Sequence, residues 1–241
     1  MEKNVVLKKS NKLGFKIWIC ILIFGLAGQL AWMVENMYFS AFIQANITKD
    51  AWATSVAVAS SAVVAALATI FGGALSDRIG KRKIFIVSGY FLWGITILSF
   101  IFVNSQYIAS ASLGVALVIL LDCLMTFFGS TANDASYNAY LTEITDETNR
   151  GKVEGVNSAM PLVSILIVFG GLSSFARIDE NGNDTWHIVF IIIGALVLIS
   201  GIVGLFTIKD PVIESKKDEP YFKNIFYGFR PSIIKNNKTL Y

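Results

Sequence analysis

Gly73-Ala74-Leu75-Ser76-Asp77-Arg78-Ile79-Gly80-Lys81-Arg82-Lys83 is a short charged stretch between two long apolar runs. Residues 51–76 before it and 84–121 after it carry no charge. The cluster therefore marks the point where two membrane-spanning helices meet one face of a bilayer. Lys and Arg resist translocation while the flanking apolar segments insert, so that face is cytoplasmic. The orientation of the other segments follows from this turn.

Working outward, the 54% hydrophobic content and mean hydropathy of +0.61 come in long blocks and not at amphipathic spacing, which defines an integral membrane protein. Six apolar segments are expected, beginning near Ile17, Ala51, Ile84, Ser110, Gly155 and Ile188. With both termini inside, all of the 20 Lys and Arg except Lys49 and Arg177 fall on the cytoplasmic side. The expected organisation is a cytoplasmic segment over 1–16, a six-helix transmembrane domain over 17–208 and a cytoplasmic linker or amphipathic tail over 209–241. Phe222, Ile225, Phe226 and Phe229 give that tail its helical spacing. The apolar part of the first segment runs past Val34 without a small-x-small cleavage site, so it reads as a retained helix and not a signal peptide.

Several function classes lose support at this stage. The net charge of +3 reflects helix orientation and not a basic surface, which argues against a nucleic-acid partner. Cys20 and Cys123 lie in apolar runs, where a thiol behaves as a small hydrophobe, and with one histidine, His187, no metal site is expected. No nucleophile triad or nucleotide-binding loop is present, so neither an enzyme nor a cofactor is expected.

Candidate site residues come from polar groups at bilayer depth. Gln29, Trp32, Glu35 and Asn36 share one broad face of the first helix. Glu35 lies about 27 Å along the helix from Ile17, so a cavity position and a position at the outer interface both remain open. The fourth segment contains Asp122 and Asp134, and an intramembrane carboxylate costs roughly 2.5–3.5 kcal/mol to insert, which makes each a functional candidate facing the bundle. Asp134 also reads as a cap of the cytoplasmic helix end. In the second helix Ala57, Ser61, Ala65, Thr69 and Gly73 recur at four-residue spacing, the mark of close helix packing in lipid. Pro161 is expected to bend the fifth helix.

The charged stretch resembles the loop between the second and third helices of the major facilitator superfamily, written G-x-L-A-D-R-x-G-R-K-x. Gly73, Leu75, Asp77, Arg78, Gly80 and Lys83 match, while Ser76, Lys81 and Arg82 depart mildly. Gly28-Gln29-x-x-Trp32-x-x-Glu35 resembles the first helix of sugar-cation symporters. The run from Asp134 through Tyr137, Tyr140, Glu143, Thr145 and Asp146 to Arg150 is similar to the fourth helix and following loop of the glycoside-pentoside-hexuronide:cation symporters, with Ser136 where that family has Pro.

The resemblance implies an all-α, six-helix N-terminal half of a facilitator fold in the plasma (inner) membrane. It implies a small polar solute, a sugar or glycoside, bound through Gln29, Trp32, Glu35 and Asn36. H⁺ or Na⁺ would couple through Asp134, with Asp122 as a second candidate. Gly73, Asp77, Arg78, Gly80, Lys81 and Arg82 would form the gating loop, with Gly73 allowing helices to approach. Its partners would be membrane lipid and a second six-helix half or a second copy. Other readings are an exporter of the same superfamily, and a non-transporting scaffold or incomplete product.

Overall fold

The computed structural model describes residues 13–103, 108, 110–178 and 184–210, and six helices of membrane-spanning length and apolarity lie among them. They are Phe15–Asn46, Ala51–Ile79, Arg82–Phe102, Ala111–Ile144, Arg150–Leu172 and Trp186–Thr207. The expected amphipathic tail and the segment before Leu13 lie outside the described residues.

Local chemistry sets the helix ends. The Asp50 carboxylate accepts the Trp52 amide at 2.9 Å and caps the second helix. That helix stops at Gly80, whose φ of 69° and ψ of 22° are left-handed, so the chain turns there with no Cβ penalty. Lys83 ties the loop to the end of the sixth helix, its Nζ donating to the Leu205 carbonyl at 2.6 Å and its amide to Asp210 Oδ1 at 2.7 Å. The fifth helix begins at Arg150, earlier than the Gly155 expected from hydropathy, because its first turn is polar but still helical.

The first, third and sixth helices are the most enclosed, with 50%, 44% and 44% of their apolar windows buried, against 17%, 28% and 22% for the second, fourth and fifth. The enclosed helices cross on glycine. A Cβ on Gly94 would meet the Leu198 amide nitrogen at 2.7 Å, and one on Gly194 would meet Leu98 Cγ at 2.7 Å, so backbones touch where lipid offers no hydrophobic drive. Toward the end farther from the charged turn, Phe39, Phe42, Phe100, Trp186 and Phe190 form an aromatic knot, with the Phe42 and Phe190 rings 4.9 Å apart at 83°.

The small-residue stripe of the second helix needs a correction. Ala53, Ala57, Ser61, Ala68 and Ser76 are its buried residues, whereas Ala65, Thr69 and Gly73 are only partly covered. Strict four-residue steps advance 40° each on a helix of 3.6 residues per turn, so the expected series drifts off the contact face. The close approach falls on Gly72, where a Cβ would meet Thr131 at 2.8 Å. At Gly73 the nearest atom, Ala135 Cβ, would be an ordinary 3.6 Å away.

Candidate functional site

The polar residues of the first and fourth helices assemble in two layers, separated by an aromatic one. In the outer layer, the one farther from the charged turn, Thr126 Oγ1 donates to Glu35 Oε1 at 3.1 Å. Glu35 Oε2 has no hydrogen-bond partner, and the adjoining pocket is lined by Val34, Phe39, Phe42, Met125, Trp186 and Phe190 among others. The free space there is only ≈ 10 Å³, about enough for a single water and too little for a solute. Asp122 lies one turn outward from Thr126, 1% exposed, with both carboxylate oxygens unpartnered beside Ser61. Ser61 instead donates to the Val58 carbonyl at 3.2 Å.

The middle layer is the Trp32–Trp93 pair, rings 4.9 Å apart, seated on Gly129. Both indole nitrogens are buried and unpartnered.

In the inner layer the fourth helix widens into a π-helix over Ser130–Tyr137, which carries Asn133 and Asp134. Such wide turns are rare and concentrate at functional sites. The Tyr90 hydroxyl lies 2.8 Å from the Phe24 carbonyl and 2.7 Å from Asn133 Oδ1, and Asn133 Nδ2 donates to Asp134 Oδ1 at 3.1 Å. Tyr137 donates to the Ile21 carbonyl at 3.0 Å, so two tyrosines grip one face of the first helix. Asp134 is followed by ten further helical residues to Ile144, which removes its reading as a cap at the helix end.

The sequence-derived solute face divides. Trp32 and Glu35 turn toward the fourth helix, Gln29 is half-buried, and Asn36 is exposed with its Nδ2 bound to the Trp32 carbonyl at 2.7 Å. Gln29 and Glu35 are six positions apart, about 120° around the axis, so one side chain serves the open face and the other the seam. Sequence reasoning missed Gly28, Tyr90, Thr126 and Asn133. Gly28 alone left a signal, a glycine within the quoted first-helix motif. Its role is steric, since a Cβ there would stand 2.5 Å from Asn133 Oδ1 and 2.9 Å from the Tyr90 hydroxyl.

Replacing Gly28 by alanine is therefore expected to force the Asn133 amide off Tyr90 and cost about 1–3 kcal/mol, the usual range for overpacking. Gly155→Ala, in open space, provides the control. Thermal unfolding in detergent, followed by tryptophan fluorescence, checks the difference.

At its own end of the bundle the charged stretch closes on itself and on the fourth helix. The Arg82 side chain is 5% exposed and bridges Asp77 Oδ1 and Glu143 Oε1, each 2.5 Å from its Nη2, while Nη1 donates to Ser76 at 2.8 Å. Glu143, fixed by Arg82, is a further residue that the sequence alone did not single out for this loop. Arg78, Lys81 and Asp77 stand at the exposed rim.

A charged turn at the membrane face, buried carboxylates at bilayer depth and six packed apolar helices define a polytopic helical membrane protein with a polar seam. The family model for the Major Facilitator Superfamily matches residues 17–240, and the chain belongs to that superfamily, a family of transporters and not of enzymes. It is 22% identical over 202 residues to the glucose transporter GlcP of Staphylococcus epidermidis, a match that covers 83% of this chain and 42% of that relative. No solved structure matches it significantly.

Proposed function

We propose that this chain is the N-terminal lobe of a secondary active transporter that moves a small polar solute, a sugar or glycoside, by alternating access coupled to an ion. In this reading it sits in the plasma membrane with both termini in the cytoplasm, and a second six-helix lobe or a second copy covers the open second, fourth and fifth helices. Transporters of this construction bind solute near the midplane between two lobes. The observation that carries the reading is the seam itself: Glu35, Asp122 and Asp134 lie inside an otherwise apolar bundle. Such groups are expensive in a membrane and are kept for ion or substrate pathways. The sugar class rests on the likeness to a glucose transporter and on the amide and carboxyl groups of Gln29, Asn36 and Glu35.

Asp134 is the ion-coupling group in this scheme. Its Oδ1 already faces an N–H donor from Asn133, an arrangement that suits exchange of a proton and opposes a metal cation, which takes oxygen ligands. H⁺ is therefore preferred over Na⁺. The small apolar pocket beside Glu35 has no room for a solute, which supports a solute site outside the lobe's interior, against the exposed side of the first helix.

Counterflow of labelled sugars in vesicles tests this proposal. Asp134→Asn is expected to abolish accumulation against a gradient, tenfold or more, while exchange of solute for solute continues, because only the latter needs no net ion movement. Unchanged accumulation in the variant removes Asp134 from the scheme, and absence of counterflow with every sugar tested removes the sugar class.

A further inference from the structure

In the inner layer two acceptors compete for one hydrogen. A tyrosine hydroxyl has a single hydrogen, yet Tyr90 lies within bonding distance of two groups that only accept, the Phe24 carbonyl at 2.8 Å and Asn133 Oδ1 at 2.7 Å. All three residues are buried, with Tyr90 0%, Phe24 0% and Asn133 5% exposed. The Phe24 carbonyl already accepts an amide within its own helix, so Asn133 Oδ1 is the acceptor left unmet when Tyr90 turns away, and that is costly here. Oxygen and nitrogen of an asparagine amide are distinguished only by the network around them, so a half-turn of the Asn133 side chain is the alternative arrangement. With Asp134 ionised, that half-turn is forbidden, because it would set Asn133 Oδ1 against the carboxylate oxygen.

Once Asp134 takes a proton, the half-turn satisfies these three contacts at unchanged heavy-atom positions. The Asp134 O–H donates to Asn133 Oδ1, Asn133 Nδ2 donates to the Tyr90 oxygen, and Tyr90 gives its hydrogen wholly to Phe24. We propose that Asn133 and Tyr90 are positioning residues that transmit the charge state of Asp134 to the backbone of the first helix. One proton is taken up and one O–H bond formed. Ionised Asp134 holds the Tyr90 hydrogen on the fourth helix, and protonated Asp134 moves it to the Phe24 carbonyl of the first.

This inference rests on the assignment of Asp134 as the coupling group and deepens it, because it names how a proton there reaches a second helix. The surroundings favour a two-state device. Gly28 lets the first helix lie against both switching groups, and the π-helical turn carries Asn133 and Asp134 with their side chains in contact. Among the charged and titratable groups, Glu35 of the first helix and Tyr90 of the third act on Asp134, Glu35 as a like charge. The second helix, packed along the same turn, carries none from Ala51 to Ser76, and Asp122 lies three turns away on the fourth helix itself. Hydrogen bonds in a low-dielectric site polarise one another, so the two arrangements form a discrete pair and not a gradual series.

Infrared difference spectra of the full chain in phosphatidylethanolamine–phosphatidylglycerol nanodiscs, acid minus alkaline, provide the test. The expected wild-type result is a carboxylic-acid band appearing together with a shift in a tyrosine ring mode. Asp134→Asn should lose the tyrosine shift and the Asp134 part of the acid band, leaving only what Glu35 and Asp122 contribute. Asn133→Leu and Tyr90→Phe should keep the acid band and lose the tyrosine shift, and Tyr90→Phe retains the ring that packs on Phe24 and Trp93 should the leucine variant fail to fold. A tyrosine shift that survives in Tyr90→Phe, or an acid band from Asp134 with no tyrosine shift in the wild type, overturns the relay. So does the same tyrosine shift produced by Na⁺ at constant alkaline pH. The expected spectra from a chain that gives no sugar counterflow would retire the sugar reading and leave the relay standing, and counterflow with silent spectra would do the reverse.

Discussion

Gly94→Leu is expected to separate the sixth helix from the third and to abolish the folded bundle. The first atom of any side chain at Gly94 would fall 2.7 Å from the Leu198 amide nitrogen and 2.9 Å from the Gly194 carbonyl oxygen, and both are backbone atoms that no rotamer change can move. Alanine alone would overpack the crossing by about 1–3 kcal/mol. Leucine adds three more carbons and requires the helices to part. In a bilayer the parted helices gain no compensating burial, because lipid tails are as apolar as the surface they leave, and the close backbone packing is itself the association energy. Gly170→Leu on the fifth helix, where nothing lies within 4 Å, is expected to leave the bundle intact. Monodispersity in detergent and the fluorescence melting midpoint separate the two variants. Equal midpoints would mean that the third and sixth helices are not held by this crossing.

The contrast between these glycines shows what was legible in the sequence. Six spans, their order and the turn at Gly80 follow from hydropathy and from the charged stretch, because the cost of placing a charge or an unpaired backbone group in lipid is large and local. Whether Asp134 lies within the fourth helix or caps its end is left open by the sequence, and the run of the helix to Ile144 decides it. Nor are the partners of Asp134 legible. Tyr90 and Asn133 are 43 positions apart and Tyr90 and Phe24 66, and no periodicity links residues on different helices.

The same limit explains the division of the first-helix face. Spacing placed Gln29, Trp32, Glu35 and Asn36 within one broad sector, but only the neighbour packed against that sector decides where it splits. Thr126 draws Glu35 into the seam, while Asn36 stays exposed on its own helix. The π-helical stretch shows this differently. Ser130-Thr131-Ala132-Asn133-Asp134-Ala135-Ser136-Tyr137 contains no proline or glycine to announce a wide turn, so its geometry arises from contacts with the second and third helices.

Arg82→Leu carries the other large effect, and its sign follows from what remains behind. The guanidinium is nearly enclosed and holds two carboxylates and the Ser76 hydroxyl at once. Removing it leaves Glu143, 21% exposed, as an uncompensated charge beneath the loop, whereas Asp77, 55% exposed, is largely rescued by water. Breaking a buried pair from one side costs about 3–5 kcal/mol, and partial solvent access at Glu143 puts the expected loss at the lower end, about 3 kcal/mol. Arg82→Lys should recover only part of it, because a single ammonium cannot reproduce the planar fork that reaches Nε and Nη2 to Glu143 and Nη1 to Ser76. The double variant Arg82→Leu with Glu143→Gln is the discriminating case. If the penalty is the stranded carboxylate, neutralising Glu143 restores most of the melting midpoint, and the two substitutions together cost less than Arg82→Leu alone. If the midpoint stays low, the loss comes from the packing of the Arg82 stem between the second and fourth helices, and charge compensation is not what holds the Glu143 end of the fourth helix against the turn.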